Sequence, residues 1–280
     1  FNIPANNLAR LIQMTSFSMS NDETRYNLNG IHLNFISNAR NNNTVNLTAA
    51  ATDAHRLSVA VYISNEEDID HTSQEEVNNN STGVIIPRKT INELIKLLKD
   101  SKYNTAEINI FISENKIKFD IGNVVLISKV IDGDYPDYNS FIPKNNENIL
   151  VINKSIFKSA IERAFAVTEE KFRAVTMSIS PERNIININA SGVAKGVVHE
   201  DIYLTDNNSQ TQNSKSLNKA ICSYVGTEVK IGFNPRYVTD VLHEIKSETI
   251  SLHLKDSFSP ILIKDENNIG DSFVIMPVKV

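Results

Sequence analysis

The sequence predicts an α+β chain made of two copies of one sheet-and-helix unit, and three observations carry that reading. Landmarks recur at one offset: 148 residues separate Arg25 from Arg173, Pro87 from Pro235 and Leu94 from Leu242. Each half contains two stripes of apolar residues at helical spacing. Between and after those stripes lie alternating, β-branched segments of strand character. Few helices among many antiparallel strands put both helices of a unit on one side of its sheets.

The first half opens on Phe1-Asn2-Ile3, and Pro4 suits a first helical position. Leu8, Leu11, Ile12 and Thr15 follow at helical spacing. Strands are expected at roughly 25–36, 44–52, 55–63 and 81–86. Pro87-Arg88 then starts a helix through Lys99, with Ile91, Leu94, Ile95 and Leu98 as its stripe, before strands at roughly 105–113, 116–122 and 124–132. The second half repeats the order. Ile149-Leu150-Val151 leads to Asn153, a suitable N-cap, and to a helix carrying Phe157, Ala160, Ile161, Ala164 and Phe165. Strands follow at roughly 174–180, 185–190, 194–204 and 227–233. Pro235-Arg236 through Lys246 forms the last helix, on Val238, Val241, Leu242 and Ile245, and strands at roughly 249–255, 259–265 and 272–278 close the chain. Segments 37–43, 64–82 and 205–220 are rich in Asn, Ser, Gln and acids and are expected to be solvated loops. The polar stretch Lys144–Asn148 is the expected boundary, dividing 1–146 from 147–280.

A chain of 280 residues, 41% hydrophobic and 22% charged, suffices for two cores. Its one cysteine, Cys222, excludes an internal disulfide framework and fits a reducing cytosol. No apolar run approaches the roughly 18 residues of a membrane span. Opening on Phe1 rather than Met, in a strand-like phrase, leads to the expectation of further sequence upstream.

The net charge of −5 argues against a protein coated by nucleic acid over its whole surface, so the positions of the cations matter. Arg88, Lys89, Asn92, Lys96 and Lys99 share one sector of their helix; Lys154, Lys158 and Arg163 lie on the third helix and Arg10 on the first. Acids crowd instead into loops such as Glu66-Glu67-Asp68 and Glu75-Glu76. Any surface helix carries lysines, but a bias repeated over several helices suggests a surface that attracts phosphates without reading bases.

Catalytic chemistry is not expected. Asp53 and His55 lie two apart and could share a strand face, yet no Ser or Cys nucleophile stands beside them in an elbow. The six histidines show no metal-ligand spacing, and no glycine loop is suited to cradling phosphate. No cofactor or metal is predicted, and Asp53 and His55 are expected to serve a structural turn or a partner contact.

Five phrases carry a resemblance: Ser18-Met19-Ser20-Asn21-Asp22-Glu23-Thr24-Arg25-Tyr26-Asn27-Leu28-Asn29-Gly30-Ile31, Ala51 through Val59, Ile85 through Thr90, Val130 through Tyr138, and the ending Val274-Ile275-Met276-Pro277-Val278-Lys279-Val280. Together they resemble, in order and over essentially the whole chain, the middle and last domains of the bacterial DNA polymerase III beta sliding clamps. The resemblance implies two repeated DNA-clamp (processivity-fold) domains, with antiparallel sheets outside and two helices per domain on the inner face. It also implies an amino-terminal domain lying outside this chain, and a ring of six domains from two subunits joined head to tail. Such a ring is a non-catalytic, cytoplasmic, nucleoid-associated processivity factor that holds double-stranded DNA by topology. Arg25, Tyr26, Arg88, Lys89, Lys96 and Lys158 would face that DNA.

The family's peptide groove, which receives polymerase subunits, the clamp loader and repair proteins, would be built from two segments. Leu28, Thr52, Ala54, His55, Arg56, Leu57, Pro136 and Phe141 form one, and Val274, Met276, Pro277 and Val278 the other. Three positions depart from the pattern: Ala54 replaces a glycine, Ser140 a basic residue and Asn27 a second aromatic after Tyr26. Without the resemblance, Leu28, Leu57, Val274 and Met276 would pass as core. A chain of this kind, by itself, is expected to be mainly monomeric. The alternatives are a two-domain clamp closing as a trimer, a metal-dependent nuclease using Asp53 and His55, and a repeat scaffold with no DNA role.

Overall fold

The computed structural model describes residues 1–37, 45–64, 80–103, 105–169, 174–205 and 222–279. The chain divides into two compact units, Phe1–Tyr138 and Asn139–Val280. That division falls before the polar stretch Lys144–Asn148. Tyr138 is buried against His32, whereas Asn146 donates to the carbonyls of His253 and Pro260, and Asn148 to that of Lys255. The polar residues are thus internal ties of the second unit rather than a linker.

In the first unit, strand β1 (Asn2–Pro4) runs straight into helix α1 (Ala5–Ser16). Pro4 is the N-cap, with φ −60° and ψ 137°, and not the first helical residue: its ring suits the extended strand end equally well. Strands β2 (Gly30–Ser37), β3 (Val45–Thr52), β4 (Arg56–Tyr62) and β5 (Asn80–Pro87) lead to helix α2 (Arg88–Leu98). Strands β6 (Glu107–Ile112), β7 (Lys116–Ile121) and β8 (Val124–Lys129) complete the unit. Hydrogen bonding orders them β4-β3-β2-β5 and β1-β6-β7-β8, every pairing antiparallel. The expected strand at 25–36 begins only at Gly30. Before it, Asp22 accepts the Thr24 N–H at 2.9 Å and Tyr26–Leu28 form a 3-10 turn, so local polar bonds win over extension. Gly30 is required where the strand starts, because a Cβ there would lie 2.3 Å from the Ile86 carbonyl oxygen.

Helices α1 and α2 pack on each other, and α1 covers β3 and β4. Leu8, Leu11, Ile12, Ile91 and Leu94 are fully buried, and each contributes about 1.5–3 kcal/mol by leaving water. Thr15, which continues the apolar stripe, is equally buried because its hydroxyl donates to the Leu11 carbonyl at 2.7 Å.

The second unit follows the same order with one additional strand, β13: β9 (Asn148–Asn153), α3 (Lys154–Val167), β10 (Val175–Ser180), β11 (Ile185–Gly192), β12 (Gly196–Tyr203), β13 (Cys222–Val225), β14 (Val229–Phe233), α4 (Pro235–Glu244), β15 (Thr249–Leu254), β16 (Ile261–Asp265) and β17 (Asn268–Ile275). Its strands order β13-β9-β15-β16-β17 and β12-β11-β10-β14, again antiparallel. Here the helices have side-chain caps. Asn153 accepts the N–H groups of Ser155 and Ile156, as expected, and Asn234 accepts that of Arg236. Strand β13 was not expected; with four residues beside a polar stretch it offers almost no alternation, and its pairing with β9 is what extends it. Strand β17 begins and ends earlier than the predicted 272–278. Among the described residues there are four α-helices, two in each unit. Most of segments 37–43, 64–82 and 205–220, and the landmark Arg173, lie outside the described residues, although 80–82 belong to β5.

Candidate functional site

The residues expected in a peptide groove fall on both units, and each part has its own local logic. In the first unit β3 and β4 are joined by a tight turn over Thr52–Arg56. Asp53 Oδ1 accepts the N–H groups of His55 (2.9 Å) and Arg56 (3.0 Å), while its Oδ2 accepts Arg56 Nε at 3.0 Å. The Thr52 hydroxyl donates to the Arg56 carbonyl at 2.6 Å and accepts the Ala54 N–H at 3.1 Å. Closing so short a turn puts Ala54 at φ +74°, a conformation that costs a side chain roughly 1–2 kcal/mol. The turn thrusts Ala54 and His55 into solvent, and Thr52, Arg56 and Pro136 are half-buried. Leu28 and Leu57 are buried and shape the surface from beneath. Both Asp53 oxygens are engaged in holding the turn. Among the described residues no three His, Cys, Asp or Glu side chains are grouped to hold a metal ion.

In the second unit the chain leaves β17 at Ile275, and the Val278 N–H donates to the Gly232 carbonyl at 2.8 Å, pinning the tail beside β14. Val274 is buried, but Met276 is 42% and Val278 37% exposed. Val278 borders a cleft of about 480 Å³ whose other walls include Glu228, Lys230, Lys255 and Phe258. Phe258 is 80% exposed at the tip of the β15–β16 hairpin. Asp256 accepts the N–H groups of Phe258 and Ser259, which lowers its carboxyl below the ordinary range and stiffens the tip. Asn148 accepts the Thr227 N–H at 2.8 Å while donating to Lys255, so one buried amide ties two walls of the cleft. Phe141 ends a 3-10 turn and is 60% exposed.

The cations divide into two kinds. On α2, Lys89, Lys96 and Lys99 are exposed beside Asn92, but the same face holds Glu93, which accepts from Lys96 at 2.9 Å. Lys158 on α3 pairs with Glu162 at 3.8 Å, and Arg25 with Asp22 at 3.3 Å. These exposed pairs are weak enough for a phosphate to displace. Other cations hold the fold together. Arg88 donates to Asn29 Oδ1 (2.8 Å) and to the carbonyls of Met19 (3.0 Å) and Ser20 (2.8 Å), and burial lowers its pKa. Arg10 donates to the Val61 carbonyl, Lys154 to the Ile245 carbonyl, and Arg163 forms a two-bond pair with Glu200. Tyr26 is 59% exposed, next to Gly133.

Comparison with known proteins settles the kinship. Residues 2–137 match the family described as DNA polymerase III beta subunit, central domain, and residues 139–279 match its C-terminal domain. The chain belongs to the DNA polymerase III beta subunit family. It is 43% identical over 282 residues to a beta sliding clamp of Rickettsia bellii, covering 100% of this chain and 66% of that relative. Among solved structures it is similar to a DNA polymerase sliding clamp from Pseudomonas aeruginosa (TM-score 0.81, 28% identity, 100% of this chain and 66% of that one). It is likewise similar to a sliding clamp from Bartonella birtlesii bound to griselimycin (TM-score 0.80, 31% identity, again 100% and 66%). This beta-subunit chain therefore spans 66% of the length of each of these three relatives.

Within the beta-subunit frame, Ala54 takes the left-handed turn with a side chain, at the position where the resemblance implies glycine. The sequence reading missed Phe258 and the lysines around it. Lone hydrophobic and basic residues in a hairpin phrase give no periodic signal, and only the closure of β15 on β16 carries them to the tail.

Proposed function

We propose that this chain forms the central and C-terminal domains of a sliding clamp, a non-catalytic processivity factor that encircles double-stranded DNA in the bacterial cytoplasm and recruits partners through short peptides. The observation that carries the reading is the exposed apolar tail, Met276 and Val278, with Val278 sharing a cleft with the outward Phe258. An apolar surface built from stiffened segments, with an adaptable Met, suits an apolar pair from a partner peptide. Ala54, His55, Arg56 and Pro136, over Leu28, Leu57 and Thr52, with Phe141, Val274 and Pro277, would supply the remainder. The partners are polymerase subunits, the clamp loader and repair proteins. A Leu and a Phe entering such a surface give roughly 1.5–3 kcal/mol each before ordering costs, so affinity should be on the order of micromolar. Calorimetry with a Gln-x-x-Leu-Phe peptide, a Leu-Phe to Ala-Ala control and a chain deleted after Ile275 tests it. Unchanged affinity in the folded, tail-deleted chain would place the site elsewhere.

DNA contact is proposed for Lys89, Lys96, Lys158, Arg25 and Tyr26, with Arg88 holding the Met19–Asn29 segment to α2 rather than reaching phosphate itself. Ring assembly of the whole protein draws support from β8 and β12, each an edge among the described strands. They leave Val125 (53%), Ile127 (61%), Val197 (62%) and Tyr203 (69%) exposed. Free edges of this kind invite pairing with another domain.

A further inference from the structure

We propose that His32 is a positioning residue for the peptide surface: its ring, stacked on Tyr135, sets the place of the loop that carries Pro136. The inference rests on the groove reading above for its link to peptide, and on packing within the first unit for the rest.

His32 lies on β2, and its ring stacks on Tyr135 with centroids 4.9 Å apart and planes 10° from parallel. The Tyr138 ring meets the same imidazole at 6.0 Å and 60°, and meets Tyr135 edge-on at 6.4 Å. Pro136 sits between these two tyrosines in sequence, so both ring contacts flank it. The imidazole has room because residue 83 is glycine: a Cβ there would lie 2.6 Å from His32 Nε2. The niche is therefore a layered stack of Gly83 backbone, imidazole and phenol. Around it, the Val130 N–H donates to the Asn115 carbonyl at 3.1 Å, the Ile131 N–H to the Ile85 carbonyl at 2.9 Å, and Asn27 Nδ2 to the Asp134 carbonyl at 3.0 Å.

The stack is apolar in practice. His32 Nδ1 is buried without a hydrogen-bond partner, and the Tyr135 hydroxyl is buried beside the Thr52 backbone. Thr52 is itself one of the expected groove residues, so Tyr135 reaches the turn as well as the loop. Burial keeps the imidazole neutral, at about 4 rather than its ordinary 6.5. The groups facing it are Tyr135 and Tyr138, and the carboxylates of Glu114, Asp132 and Asp134 border the cleft of about 580 Å³ that it lines. Asp137 acts on Tyr138. A ring so placed holds the loop by contact area and shape, and a proton on it would have to be solvated where no partner waits.

The test uses the whole chain, with His32→Ala and His32→Phe. One readout is amide hydrogen exchange of residues 130–138 in the free protein at pH 7 and pH 5, corrected for intrinsic rates. The other is the affinity at pH 7 of a capped Gln-Ala-Ala-Leu-Phe peptide. The expected result is faster loop exchange and about five- to tenfold weaker peptide binding in His32→Ala, since the competent loop conformation is then only fractionally populated. His32→Phe should restore both, and acid should loosen the loop in the parent but not in His32→Phe. Parent-like loop protection in His32→Ala, or a His32→Phe chain as loose as His32→Ala, overturns the proposal. If His32→Ala does not fold, the comparison of parent with His32→Phe across pH still decides it, with equal acid loosening as the overturning result. A loop that responds as stated in a chain that binds no peptide sinks the groove reading and leaves the positioning role standing.

Discussion

Single residues in this chain often do something other than their side-chain type suggests, and the difference can be measured. Ala54 adopts φ +74° with a Cβ, so Ala54→Gly should stabilise the fold by about 1 kcal/mol, seen as a higher urea midpoint with an unchanged slope. Arg88 resembles a phosphate contact in sequence but donates to three oxygens inside the unit. Arg88→Ala should cost about 1–3 kcal/mol, while Lys89→Glu with Lys96→Glu should leave stability within about 0.5 kcal/mol and weaken DNA retention. Equal loss of DNA retention from Arg88→Ala in a fully folded chain would count against the division between structural and exposed cations. For His32, whose folded pKa of about 4 is below its ordinary 6.5, the unfolded chain takes up the proton first. Its neutral form therefore stabilises fully above pH 6.5, and the contribution falls as pH drops towards 4. The melting temperature of the parent should fall across that window more than that of His32→Phe. Burial pushes the Cys222 thiol up to about 11, so this cysteine should react slowly with thiol reagents at pH 7.5 until the protein unfolds.

At the scale of elements, the two units solve one problem in two ways. Helices α1 and α2 begin at prolines that end strands and have no side-chain cap, whereas α3 and α4 are capped by Asn153 and Asn234. Asn153→Ala and Asn234→Ala should each cost about 1 kcal/mol in chemical unfolding. An additive double variant would show that the caps act independently; strong coupling would instead show that α3 and α4, which pack together, share their end contacts. The repeat was visible in the sequence because helical stripes and Pro-Arg starts survive divergence. Strand β13 was not, since four residues carry too little alternation to separate from the polar stretch before them. The 3-10 turn at Tyr26–Leu28 was equally hidden, because Tyr, Asn and Leu satisfy a strand pattern until Asp22 and Arg88 draw the segment inward.

For the whole molecule, an acidic chain that keeps exposed lysines on helices should bind duplex DNA weakly, without sequence preference, and with affinity that falls steeply as salt is added. Retention on DNA measured between 50 and 200 mM salt (about a fourfold range) checks this, and salt-insensitive or sequence-selective binding would contradict it. The 280-residue chain is expected to sediment mainly as a monomer at micromolar concentration, with β8 and β12 left as edges.

The repeat, the two helices per unit, the apolar stripes that become the cores, and the phrases that mark the beta-subunit family are legible from the amino-acid order alone. These are written in local periodicity, which needs no tertiary partner to be seen. The tertiary structure decided which polar and charged residues are available. It engaged Arg88, Arg10, Lys154 and Asp53 in internal bonds, left Lys89 and Lys99 in solvent, and brought Phe258 to the tail through a hairpin. It also stacked His32 on Tyr135 across a gap that only Gly83 leaves open. Side chains distant in sequence meet only once strand register is set, and register depends on burial summed over a whole sheet rather than on any one residue.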